Sequence, residues 1–177
     1  LSREQIRDAL AQGLATHAIP YRLFTWEWSS EQVRFHVYLE FLPEQERARI
    51  EVYFAPLRMR EVEGFDLVGN SFPFYVLARR LPLGVECDVE SVENCGNGVY
   101  SDQERLALFQ VIGDALGEYI TTHSSEESLV KAYANGDYNT AFIHPSLKPA
   151  FDQRLEAVGI PAPHVECTPA NWMNFFR

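Results

Sequence analysis

Hydrophobic positions along the chain change period several times, and each change marks an element. Ile6, Leu10 and Leu14 recur every four residues on one helical face, behind a capping-box pattern of Ser2 with Gln5. This predicts a helix over residues 3–18, closed at Pro20 because the residue before a proline avoids helical geometry. The period then falls to two. Phe24, Trp26 and Trp28 alternate with Thr25 and Glu27, Val33 to Phe41 with Arg34, His36, Tyr38 and Glu40, and Ile50, Val52 and Phe54 with Arg49, Glu51 and Tyr53. Three strands with short polar breaks at 29–32 and 43–47 predict an antiparallel meander. Phe24, Trp26, Phe35, Phe41 and Phe54 belong to its core face, and His36 to its outer face.

Further on, Phe72, Phe74, Val76 and Ala78 suggest a fourth strand, and Val85, Cys87 and Val89 a fifth, with Pro73 and Pro82 confining them to edges. Ser101 and Glu104 form a second capping box ahead of Phe109, Ile112, Leu116 and Ile120, which predicts a helix over 102–121. Residues 128–143 are expected to form a hairpin around Asn135-Gly136, and a short helix over Leu129, Val130 and Tyr133 ended by Gly136 is the alternative. Ser146 would cap a last helix carrying Phe151 and Leu155, stopped at Gly159. Thr168-Pro169 would start a terminal turn bearing Trp172, Phe175 and Phe176.

The expected fold is a single α+β domain over residues 1–177. It has an antiparallel sheet of about five strands, the meander plus the C-terminal hairpin, packed with three main helices. A chain of 177 residues can bury about 70% of its unfolded surface, enough for one core without staples. The element order resembles that of small acidic type III secretion chaperones in topology alone, the 58–101 segment having no counterpart there.

Charge adds location to this picture. The chain carries 15 basic and 25 acidic side chains, a net charge of −10. The first sixty residues are neutral, whereas residues 86–127 hold ten acids against Arg105 alone. That balance argues against direct nucleic-acid binding and against an anionic membrane surface, and it favours a basic protein partner. In a strand, Glu86, Asp88 and Glu90 would share one face, and with Glu93 they form the expected electrostatic docking surface. Trp172, Phe175 and Phe176 either dock on their own domain or serve as the expected apolar contacts for a partner or a homodimer.

The resulting expectation is a non-enzymatic protein-binding module of adaptor, inhibitor or chaperone type. The alternatives are a nucleic-acid-mimicking inhibitor of a DNA-binding protein and a small cysteine-dependent hydrolase or transferase using Cys95 with a histidine. No catalytic residue, cofactor or metal is assigned. The set Cys87, Cys95, His164 and Cys167 has zinc-compatible ligands, but seven residues between its first two cysteines is not knuckle spacing. The acids of 86–98 lack calcium-loop spacing. Gly96-Asn97-Gly98 is too short for a phosphate cradle. Three cysteines, no signal-like N-terminus and no long apolar run lead to the expectation of a cytoplasmic protein.

Overall fold

The computed structural model describes residues 1–22, 24–57, 76–78, 80–143 and 148–161. Its class is α+β, with five helices among these residues and a six-stranded antiparallel sheet in the order β1-β2-β3-β4-β5-β6. The strands are β1 Tyr21–Arg22, β2 Thr25–Ser29, β3 Val33–Leu42, β4 Arg47–Pro56, β5 Val76–Ala78 and β6 Phe142–Ile143. The helices are α1 Arg3–Ala15, α2 Val89–Glu93, α3 Asp102–Thr122, α4 Glu126–Ala134 and α5 Lys148–Ala157. Contacts gather the chain into two compact units, residues 1–28, 36–52 and 82–122 in the first and 29–35, 53–81 and 123–177 in the second.

In the first unit, α1 begins at its expected capping box: the Gln5 amide donates to Ser2 Oγ, and the Ser2 amide donates back to Gln5 Oε1 at 2.8 Å. It stops at Ala15, earlier than expected, because the chain turns over Thr16 to Ala18 and Ala18 takes a left-handed backbone. Ser101 and Glu104 start α3 in the same reciprocal way. The two helices touch at their backbones. A Cβ on Gly113 would stand 2.5 Å from the Leu10 carbonyl oxygen, and one on Gly13 would run into the Gln110 carbonyl. Glycine is required at both positions by this approach. Ile6, Leu10, Leu14, Ile112 and Leu116 are buried in the same core as Trp26, Val37, Ile50 and Val52 of the meander.

The meander is present, but Phe24 is not part of its core. Arg22 pairs with Thr25, which puts Phe24 in the tight hairpin turn between β1 and β2. Such turns need positive φ, and Phe24 has φ 74° with its ring 83% exposed. His36 alternates with the core residues Phe35 and Val37 as expected, but it does not face open solvent, the residue being only 5% exposed.

In the second unit, Phe35 packs on Phe54 and Phe54 on Tyr138, while Tyr133 stacks on Phe151 and donates its hydroxyl hydrogen to Asp152 Oδ1 at 2.9 Å. The expected hairpin over 128–143 is replaced by α4, the helical alternative. Ser125 and Ser128 cap its start, Leu129, Val130, Ala132 and Tyr133 are buried, and Asn135 stays helical while Gly136 takes φ 86°. The Asn-Gly pair therefore ends a helix, and the chaperone-like element order is lost with the hairpin. β6 instead pairs with β5, Val76 opposite Ile143. Phe72, Phe74, Ser146 and the terminal turn lie outside the described residues.

Ala substitution at Gly13 or Gly113 is expected to destabilise the protein. Helix propensity favours Ala by about 1 kcal/mol, but overpacking two backbones costs about 1–3 kcal/mol or more, and here the clash is with main chain that cannot rotate away. Urea unfolding should show a lower midpoint at unchanged slope, whereas Gln110→Ala on the exposed side of α3 leaves the midpoint where it was.

Candidate functional site

The acidic stretch was expected to lie on a strand around Val85, Cys87 and Val89, and it does not. Asp88 accepts hydrogen bonds from the Glu90 amide at 3.2 Å and the Ser91 hydroxyl at 2.7 Å, which caps α2. These local bonds win over the alternation of Val85, Cys87 and Val89, so Glu86, Asp88 and Glu90 do not form a strand face.

At the other end of α2, Glu93 points inward and is 5% exposed. One carboxylate oxygen accepts the Ile50 amide at 2.6 Å and the other pairs with Arg47 Nη2 at 3.0 Å. Asn94 bridges antiparallel to Arg47, and the Cys95 amide donates to the Glu46 carbonyl at 2.8 Å. Residues 93–95 thus supply polar partners to the first half of β4. Burial pushes the Glu93 carboxyl up, and the Ile50 amide and Arg47 only partly offset it.

Arg105, the one basic residue of the stretch, is 1% exposed. Its Nη1 donates to the carbonyls of Ser91 at 2.8 Å and Val92 at 2.6 Å, and Nη2 donates to Asn97 Oδ1 at 3.0 Å. Those carbonyls belong to the end of α2, where the helix leaves them unpaired. The Arg105 Nε–H is buried without an acceptor.

Of the residues expected to bind a partner, Glu93 is therefore internal. Glu86, Asp88 and Glu90 are exposed, with Glu90 3.8 Å from Arg47. Trp172, Phe175 and Phe176 lie outside the described residues. Asp102, Glu104, Asp114 and Glu118 are exposed along α3. The Thr16 hydroxyl and His17 hold Asp114 below the usual carboxylate range, and Ser101 does the same for Glu104.

A second polar cluster, on the meander, was not anticipated as a site. Glu27 Oε1 lies 3.2 Å from His36 Nδ1, Arg49 pairs with Glu40 at 3.3 Å, and Glu51 lies 3.7 Å from Arg49. Burial, then Glu27, pushes the Tyr38 hydroxyl up. His36 and Glu51, at 5% and 7% exposure, are buried although their period-two positions alternate with the apolar core face. The available signal is the run of polar residues at alternate positions: Glu27 on β2, Arg34, His36, Tyr38 and Glu40 on β3, and Arg49 and Glu51 on β4. The Glu27–His36 and Glu40–Arg49 pairs join neighbouring strands and Arg49–Glu51 lies along β4, a use that needs no ligand.

Cys87 and Cys95 are free thiols, both pushed up by burial. An activated nucleophile needs the opposite shift, so these positions lend the cysteine-hydrolase alternative no support. His144, His164 and Cys167 lie outside the described residues, among which no group of three or more His, Cys, Asp or Glu is placed to hold a metal ion. No described helix is long and apolar enough to cross a membrane. No protein-family model matches the chain, and neither the curated proteins nor the solved structures contain a match to it.

Glu93→Ala should cost about 3 kcal/mol, since it strands the Ile50 amide and Arg47 in a buried setting. Glu93→Gln keeps the acceptor for Ile50 and should cost less. Because burial raises the folded carboxyl above its unfolded value, the Glu93 contribution to stability is present at low pH and lost as pH rises through the folded value. Denaturation curves collected across that range should lose this slope in Glu93→Gln.

Proposed function

We propose that this chain is a non-enzymatic protein-binding module whose first unit docks a basic partner protein by electrostatic attraction. The distribution of charge between the two units carries this reading. Residues 1–28, 36–52 and 82–122 contain fifteen acids and six arginines, a net −9, whereas the remaining residues sum to −1. Three of those arginines are spent on internal bonds: Arg105 on carbonyls, Arg47 on Glu93, and Arg49 on Glu40 and Glu51. Seven of the eight acids in 82–122 face solvent, Glu93 being the exception.

Such a field raises the on-rate for a positively charged partner and sets orientation, and an apolar contact would supply much of the affinity. The exposed Phe24 at the hairpin turn is one candidate for that contact, alongside the expected Trp172, Phe175 and Phe176. Two free thiols fit a reducing, cytoplasmic setting. Adaptor, inhibitor and chaperone roles all use this chemistry.

A lysine- and arginine-rich peptide titrated into the protein is expected to bind, with affinity falling at least about tenfold between roughly 50 and 300 mM salt. Glu86→Gln combined with Glu118→Gln should weaken it a further few-fold, at about 0.2–1 kcal/mol per exposed charge pair. Binding that ignores both salt and these substitutions, or no binding at low salt, would sink the proposal.

A further inference from the structure

Within this acidic unit one concavity has the opposite character. A cavity of about 290 Å³ lies between the start of α1 and the β3–β4 turn, with Ile6, Phe41, Leu42 and Ala48 among its apolar walls and Arg3, Arg47 and Cys95 among its polar ones. That volume is just under the range of drug-sized ligand sites, about 300 to 1,000 Å³, and suits a smaller molecule.

Both guanidiniums have donors left over. Arg3 lies over the Phe41 ring, 5.4 Å from its centroid, and makes no ion pair or hydrogen bond among the described residues. Arg47 commits Nη2 to Glu93, with Glu90 3.8 Å from the same nitrogen, while its Nε–H is buried without an acceptor and Nη1 has no bonding partner among the described residues. The carboxylate in the lining, Glu46, lies against Gly96, its Oε2 where a Cβ on that residue would stand. Two cations with spare donors beside apolar walls complement one negative charge carried on an apolar body. Glu46 close by disfavours a doubly charged anion.

We propose that this cavity binds a small organic monocarboxylate, its carboxylate between Arg3 and Arg47 and its apolar part against Ile6, Phe41 and Leu42. The site meets the acidic surface at one point, Arg47, which also lies 3.8 Å from Glu90, but its apolar walls and Arg3 are separate from that surface.

Phenylacetate is a suitable probe, with phenylacetamide as its neutral counterpart and inorganic phosphate as an anion without an apolar part. Calorimetry should show one-to-one binding of phenylacetate at least about tenfold tighter than phenylacetamide or phosphate, charge-assisted hydrogen bonds being about twice as strong as neutral ones. Arg47→Gln would also strand Glu93, so the informative variant is Arg3→Gln, whose side chain carries no hydrogen bond; it should weaken phenylacetate about tenfold and leave phenylacetamide unchanged. Cys95 supplies an independent readout: phenylacetate should slow its alkylation by iodoacetamide and leave the rate at Cys87 unchanged. Equal binding of acid and amide, equal binding of phosphate, indifference to Arg3→Gln, or an unprotected Cys95 would each overturn the assignment.

Discussion

Two buried charges of opposite sign hold the five-residue helix α2 from different directions, and the arrangement of the first unit follows from the need to satisfy both. Glu93 reaches from the end of α2 into β4, where the Ile50 amide and Arg47 meet it. Arg105 reaches from α3 to the carbonyls of Ser91 and Val92. An ion taken out of water costs several kcal/mol unless hydrogen bonds replace its hydration, so neither residue tolerates a position in which those partners are missing. Sheet, short helix and long helix are thereby held in one register. The close approach of α1 and α3 at Gly13 and Gly113 adds a second constraint that allows little sliding.

This has a consequence for electrostatics. The cations that could neutralise the acidic stretch are used inside: Arg105 is wholly enclosed, and Arg47 and Arg49 are tied to carboxylates on or beside β4. The exposed acids of α2 and α3 are left with few compensating charges. A surface of this kind keeps a protein dispersed and attracts positive partners, and its reach is limited by salt. The charge asymmetry is thus partly a by-product of how the fold satisfies its interior, and the proposed docking role uses it.

Much of the architecture was legible because it rests on local signals. The capping boxes at Ser2 and Ser101 and the four-residue spacing behind them mark α1 and α3, and strict alternation marks β2 to β4. Other features depend on contacts that hydrophobic periodicity does not show. Val85, Cys87 and Val89 imitate a strand, but Asp88 closes a cap on the Glu90 amide and the Ser91 hydroxyl, which starts a helix instead. Asn135-Gly136 suits a turn or a helix end equally, and burial of Leu129, Val130 and Tyr133 decides for the helix. His36 and Glu51 alternate with core residues, yet both are covered. The acidic stretch was recognised as a unit, but Glu93 could not be separated from Glu86 and Glu90 by residue type. Its inward turn depends on an amide 43 residues earlier.

The most direct test of this account is a carbon-13 titration of the glutamate side-chain carboxyls, read together with the Ile50 amide shift. Glu93 should protonate above the ordinary glutamate range, and the Ile50 amide should move in step with it as the 2.6 Å bond changes character. A Glu93 that titrates like a solvent-exposed glutamate, with an Ile50 amide indifferent to it, would contradict the buried anchor.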